Sequence, residues 1–290
     1  PLYSSAASDV YKRQMVSVVV PVGFVDLMDL LRWQGLCRRF CRFNVDGNLT
    51  EWLAYKCFGD AKEADSLAGW SLCNILGQGS FSIVLKARNV DHSLYCAVKI
   101  TETQSFNVKA GARSKTLRPD LEASLLTAMS HENIVEVYEA CSTSRGVILM
   151  LEYCELGDVF TSLDVTGAFG NVRTIDFGLQ IGSALAFLHS KFIIHRDVKP
   201  ENVLLKSTFN HEMKYVLADF GLARRCNVGD ACFTFVGTPA YMAPEIFRTH
   251  RGYPDGYSGK VDVWSLGVTL YACLTSEFPF SASLNHANFG

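Results

Sequence analysis

The chain has no dense block of lysine and arginine, and its 290 residues carry a formal charge of only −2. Nucleic acid is bound largely through neutralised phosphates, so this charge pattern argues against it as the main partner. No apolar stretch reaches bilayer length. The longest near the start, Met15 to Val25, is broken by Pro21 and Gly23 and soon meets Asp26. It also lacks the basic flank of a secretory signal. The ten cysteines include no C-x-x-C pair and no Cys/His cluster with zinc spacing; Cys37 and Cys41 are four apart, Cys226 and Cys232 six apart. Such scatter reads as free thiols in a reducing compartment. The expectation is a soluble intracellular protein, cytoplasmic or nuclear, with no membrane and no nucleic-acid partner. What is present in quantity is apolar residue, 49% of the chain, enough to bury a substantial core in one or two domains.

Organisation follows from periodicity. Residues 1–14, PLYSSAASDVYKRQ, have no apolar period and precede the first methionine; they read as an artefactual or disordered tail and are set aside. Residues 15–62 read as a helical extension. Leu27, Leu30, Leu31, Leu36 and Phe40 recur at near-helical spacing among arginines. Their order, DLLR, LCRRF and EWL, resembles the later part of an F-box, which implies a cullin-ligase adaptor subunit as a partner. A plain helical extension and a basic amphipathic helix are the alternatives. The polar run AKEADS reads as a linker. From about Trp70 short strand-like runs follow, at Trp70 to Leu76, Ile83 to Arg88 and Tyr95 to Ile100. A helix near Pro119 to Met129, strands at Val135 to Cys141 and Val147 to Tyr153, and long helices at Val172 to Ser190 and Val261 to Leu274 complete the pattern. This predicts an α+β protein in which a small sheet-rich lobe precedes a larger helical one, with a cleft between them.

The polar residues within this frame define a chemistry. Gly77 and Gly79, in GQGSFSIV, let a backbone approach phosphate oxygens with no Cβ in the way. Lys99 lies in the apolar strand CAVKI, and an inward lysine there needs an anion. Glu122 precedes Leu125, Leu126 and Met129 by three, four and seven positions, so it shares their inward stripe. The run IIHRDVKPENVLL then supplies Asp197, Lys199 and Asn202, and LADFGLAR supplies Asp219. Asp197 is placed to accept a hydroxyl proton and Lys199 to neutralise a moving phosphoryl group. Asn202 and Asp219 offer the oxygens that a hard divalent cation prefers.

From Trp70 to its last residue the chain resembles the eukaryotic protein kinases of the serine/threonine branch, with some similarity to the calmodulin-dependent group. The residues that carry the resemblance are Gly77, Gly79, Val84, Lys99, Glu122, His195-Arg196-Asp197, Lys199, Asn202, Asp219-Phe220-Gly221, Ala243-Pro244-Glu245 and Asp262. It implies a bilobal fold, ATP and Mg2+ as cofactors, and transfer of a phosphate to a Ser/Thr hydroxyl of a protein. It implies that Val84, Ala97 and Leu204 sandwich adenine, that Leu151 is the gatekeeper, and that Glu152 to Cys154 form the hinge. Asp158 is implied at the ribose or at a basic substrate residue, and Thr234 as a phosphosite facing Arg196 and Arg224. With Glu201, Asp158 points to basic residues before the acceptor; Phe235, Pro239 and Met242 point to an apolar residue after it. Family members continue beyond LTSEFPF, so residues 70–290 are expected to be a C-terminally truncated domain in which Glu245 lacks its usual arginine. An inactive scaffold is the alternative function, which the retention of Lys99, Asp197, Asn202 and Asp219 disfavours. A small-molecule phosphotransferase is disfavoured by GTPAYMAPE, Gly237 to Glu245.

Overall fold

A computed structural model of the chain describes residues 70–78, 82–89, 94–102, 119–142, 146–210, 212–226 and 231–280. The tail at 1–14, the extension at 15–62, the linker, Gly79 and the closing stretch 281–290 lie outside the described residues.

The strand-like runs form one antiparallel sheet. Its strands are β1 (Trp70–Gln78), β2 (Ser82–Asn89), β3 (Tyr95–Glu102), β4 (Val137–Ser142) and β5 (Gly146–Glu152), in the order β1-β2-β3-β5-β4. Successive strand side chains point to opposite faces, and this alternation divides the sheet into two apolar layers. Leu85, Ala87, Cys96, Val98, Ile100, Ile148 and Met150 fill the outer one. Ala97, Val147, Leu149 and Leu151 belong to the larger core. Lys99 has the same parity as Ala97 and Thr101, so the alternation that buries those neighbours also turns Lys99 inward.

Helix α1 (Pro119–Thr127) packs on that inner face. Pro119 opens it, with Asp120 and Glu122 in its first turn, where a fixed φ and negative charge suit the exposed N–H groups. Ala123, Leu125 and Leu126 are buried, and Glu122 with them. The same core continues into helical structure. After α2 (Val159–Thr166) comes α3 (Asn171–Ser190), 20 residues long. Its Phe177, Ile181, Ala184, Leu185 and Leu188 form a stripe at helical spacing and are buried to 3% exposure or less. Complete burial is worth about 1.5–3 kcal/mol for each large member of that stripe. Gly178 lets α3 approach α5 (Lys260–Thr275), since a Cβ there would meet Leu270 at 3.2 Å.

Two short pieces of sheet aim the loops between these helices. Strand β6 (Ile193–Ile194) pairs with β9 (Arg224–Arg225), and β7 (Val203–Ser207) pairs with β8 (Met213–Leu217). Helix α4 (Pro244–His250) leads toward α5. The strands and long helices lie within about two residues of their predicted bounds. The apolar runs after Asn202 and before Asp219 read as short strands and are β7 and β8, whereas the short elements α2, α4, β6 and β9 have no counterpart in the sequence reading. They are too brief to show a period, and tertiary pairing decides them.

Candidate active site

Lys99 sits in the middle of β3, opposite Val84 on one side and Leu149 on the other. Its Nζ donates to Glu122 Oε1 and to Asp219 Oδ1, both at 2.7 Å. Burial opposes the charge on Lys99, but Asp219 and Glu122 outweigh it and hold the ammonium above the ordinary lysine range. For Glu122 the balance is reversed. Burial pushes its carboxyl up, and Lys99 offsets only part of that. Asp219 also feels burial, but the Lys99 ammonium prevails and holds its carboxyl below the usual range. One cation is thus shared by two acids. Asp219, whose side chain is 53% exposed, can reach a further cation.

Asp219 has a left-handed backbone, φ 58 and ψ 77, a conformation that costs a residue with a Cβ about 1–3 kcal/mol. Its surroundings impose it. The Ala218 N–H donates to the Asn202 carbonyl at 2.8 Å, and His195 Nε2 donates to the Ala218 carbonyl at 3.0 Å. Phe220, 1% exposed, meets the His195 ring edge-on at 4.8 Å. These contacts tie the start of LADFG to the loop that carries Asp197.

Asp197 is the most heavily bonded acid in that loop. Oδ1 accepts from Thr238 Oγ1 at 2.7 Å; Oδ2 accepts from Asn202 Nδ2 at 3.0 Å and pairs with Lys199 Nζ at 2.9 Å. Lys199 also donates to Thr238 Oγ1 at 2.7 Å. Thr238 is therefore part of the cluster, a role the sequence reading did not assign. Gly237 makes the approach possible. With φ +116, it lies where a Cβ would come within 2.6 Å of the Arg196 carbonyl oxygen, so the backbone can pass the loop that carries Asp197 only without a side chain.

Beneath the loop, buried Asp262 on α5 accepts from the His195 N–H at 2.9 Å, the Arg196 N–H at 2.8 Å and His189 Nε2 at 2.8 Å. The last of these is another partner the sequence reading missed. Arg196, with φ 69, turns outward from there. It donates to the Leu222 carbonyl at 2.7 Å and to Thr234 Oγ1 at 2.6 Å. Thr234 also meets Tyr257, whose hydroxyl donates to the Thr234 carbonyl at 2.7 Å. Arg224, on β9, is exposed.

The predicted adenine-side residues fall in one apolar cluster. Ala97, Leu151 and Cys154 are buried in it, with Val84 and Leu204 packed against it. Burial, then the neighbouring Glu152, pushes the Cys154 thiol up to about 12. Gly77 stands opposite Val84 at the end of the β1–β2 hairpin. The Glu152 side chain is committed internally, to Lys206 and to the Glu136 N–H. The Asp158 carboxylate caps α2, accepting from the Thr161 N–H at 2.7 Å and from Thr161 Oγ1 at 3.0 Å. A separate open cavity of about 660 Å³ at the start of α3, lined by Arg173, Asp176, Met213 and Tyr215 among others, includes none of the predicted site residues.

The donor set fits a magnesium–nucleotide pair. Among the described residues no group of three or more His, Cys, Asp or Glu forms a self-sufficient metal centre. Asp219 and Asn202 instead make a sparse oxygen pair. The Asn202 Nδ2 is spent on Asp197, at 2.8 Å to the carbonyl oxygen as well as on Oδ2, which leaves the amide oxygen as its ligand atom. Mg2+ characteristically takes one or two protein ligands and completes its shell with water and phosphate.

Fold and site together are those of a protein kinase, and the chain belongs to that family. Its residues 70–289 match the family model described as "protein kinase domain". Over 216 residues, 72% of this chain, it is 37% identical to 20% of human serine/threonine-protein kinase ULK1. Over 216 residues it is 36% identical to 42% of serine/threonine-protein kinase 33 from Bos taurus. It is also 33% identical over 223 residues, 77% of this chain, to 44% of protein kinase 2 from Dictyostelium discoideum. The chain thus spans less than half the length of each of these relatives. The sheet-first, helices-after architecture is the bilobal kinase fold. No helix among the described residues is long and apolar enough to cross a membrane.

Proposed function

We propose that the chain is a serine/threonine protein kinase that moves the γ-phosphoryl group of ATP onto a Ser or Thr hydroxyl of a protein. The observation that carries this reading is the 2.7 Å double contact of Lys99 with Glu122 and Asp219, set beside a fully bonded Asp197. Bound ATP and Mg2+ supply the transferable group and the cation that neutralises its charge. Lys99 holds phosphate oxygens, and Asp219 with Asn202 provides the oxygens for the metal. Val84, Ala97 and Leu204 enclose the base, and Glu152 to Cys154 offer it backbone groups. Asp197 receives the acceptor's proton, held in place by Thr238 and Asn202 and flanked by the positive Lys199. The named serine/threonine relatives support an aliphatic hydroxyl rather than a phenol as acceptor.

The test is Asp197→Asn in the full chain. It should abolish transfer of labelled phosphate to a mixed Ser/Thr peptide library while nucleotide still raises the melting temperature. Equal turnover by variant and parent would remove Asp197 from the mechanism. The same library, scored for basic residues before the acceptor and apolar ones after it, tests the roles given to Asp158, Glu201, Phe235, Pro239 and Met242.

Two further roles belong to this proposal. Thr234 is a phosphosite: its hydroxyl already lies 2.6 Å from Arg196, where a phosphate gains charge-assisted hydrogen bonds. The extension at 15–62 recruits a cullin-ligase adaptor, supported by its F-box-like order of residues; no enrichment of that adaptor over a scrambled extension would dispose of the idea. The scattered thiols support a cytoplasmic or nuclear location.

A further inference from the structure

Two thiols that the catalytic cluster does not use sit on the segment leading to Thr234. Cys226 and Cys232 are both buried, at 9% and 1% exposure, and their backbones are fastened to different parts of the fold. The Cys226 N–H donates to the Phe192 carbonyl at 2.8 Å, and Cys232 exchanges two backbone hydrogen bonds with Tyr257, at 2.8 and 2.9 Å. Both side chains enter one apolar cluster with Ile194, Met242 and Tyr257, where the two sulfurs lie close enough to interact directly. Gly256 permits the Cys232–Tyr257 pairing, because a Cβ at its φ of +61 would lie 2.5 Å from Ala231 Cβ and 3.0 Å from the Cys232 carbonyl oxygen. Sulfurs in direct contact need to approach by only about 2 Å to reach disulfide length.

We infer that Cys226 and Cys232 form a reversible intramolecular disulfide, a modification site that a peroxide closes and a dithiol reopens. Cys226 is the less deeply buried residue of the two and attacks first. Cys232, the more deeply buried of the two at 1% exposure, takes the second role. The Cys226 sulfur takes one oxygen of hydrogen peroxide, breaking the O–O bond to leave a sulfenic acid and one water. The Cys232 sulfur then displaces that oxygen, which departs as a second water with the remaining thiol proton. Two thiol hydrogens and two electrons pass to the peroxide, and one S–S bond forms. The bridge joins a backbone held by Phe192 to one held by Tyr257, whose hydroxyl contacts Thr234. Oxidation therefore stiffens the Cys232–Tyr257 pairing whether or not the chain transfers phosphate.

Trypsin provides a direct readout, because the peptide between Arg225 and Arg248 contains both cysteines and no other. The full chain is treated with hydrogen peroxide, alkylated with iodoacetamide and digested. The expected 226–248 peptide is two hydrogens lighter and unalkylated, and dithiothreitol restores both alkylation sites. Amide exchange at Cys232 and Tyr257 should slow on oxidation in the parent and stay unchanged in Cys226→Ser. Double alkylation at a peroxide dose that oxidises the exposed Cys73 would overturn the inference. So would over-oxidation of one sulfur with the other still free, or a bridge between two chains. Unchanged exchange in the bridged parent would overturn the stiffening.

Discussion

Replacing Asp262 by asparagine changes almost no volume and removes one charge from a site with 0% exposure. The carboxylate there accepts three hydrogen bonds, from the His195 N–H and His189 Nε2 on Oδ2 and from the Arg196 N–H on Oδ1. An amide can accept on one side only. If its oxygen faces Arg196, its NH2 group meets the His195 N–H, donor against donor; the flipped amide moves the conflict to Arg196. His189 can adapt by shifting its proton to Nδ1, but one buried backbone N–H loses its acceptor in either orientation, at about 1–3 kcal/mol. The surviving bond also drops from charge-assisted to neutral strength, about 1 kcal/mol more. A total near 2–4 kcal/mol weakens a domain of ordinary stability, about 5–15 kcal/mol, without unfolding it. The functional loss should be larger. Those bonds hold Arg196 at φ 69, a left-handed conformation that costs about 1–2 kcal/mol, and Asp197 is the next residue. Guanidinium titration of Asp262→Asn should show a lowered midpoint at constant slope, and phosphate transfer should fall further than the folded fraction explains. A variant within about 0.5 kcal/mol of the parent, the range of an ordinary surface substitution, and equal to it in rate would refute the assignment of Asp262 as the anchor of the catalytic loop.

Phe192 is a bulky residue at φ 59, so Phe192→Gly should be more stable than Phe192→Ala. Relief of about 1–2 kcal/mol of left-handed strain exceeds the glycine entropy cost of about 0.5–1 kcal/mol; paired denaturation curves with alanine ahead would contradict this. Lys99 gives a pH prediction. Its folded-state value lies above the ordinary 10.5, so its ammonium stabilises the fold below that value and the gain fades as pH climbs through the raised one. The stability gap between the parent and Lys99→Met should stay level from about pH 8 to 10 and narrow above that; a gap that widens with alkali would mean the ammonium is not held by its two acids.

The difference between what the sequence disclosed and what it concealed lies in how far apart the partners are along the chain. Lys99 was legible because Ala97 and Thr101 share its parity, and Glu122 because Leu125 and Leu126 share its helical face. In both cases local periodicity sets direction, and an inward charge on an apolar face calls for a partner of opposite sign. Thr238 was not legible in this way. Its bond to Asp197 spans 41 positions and depends on Gly237 passing close to the Arg196 carbonyl, a tertiary fact with no period. Asp158 carries both kinds of signal. Resemblance directs its carboxylate at a ligand, and the helix it opens also bonds both oxygens through Thr161, as short acidic side chains at helix starts commonly do. The thiol pair combines the two effects. Six positions is a local spacing, yet it became meaningful only when Phe192 and Tyr257, reached through separate backbone pairings, brought Cys226 and Cys232 into contact. A residue's type therefore limits the chemistry it can perform, and the fold's long-range pairings decide whether that chemistry turns inward to structure or outward to a substrate.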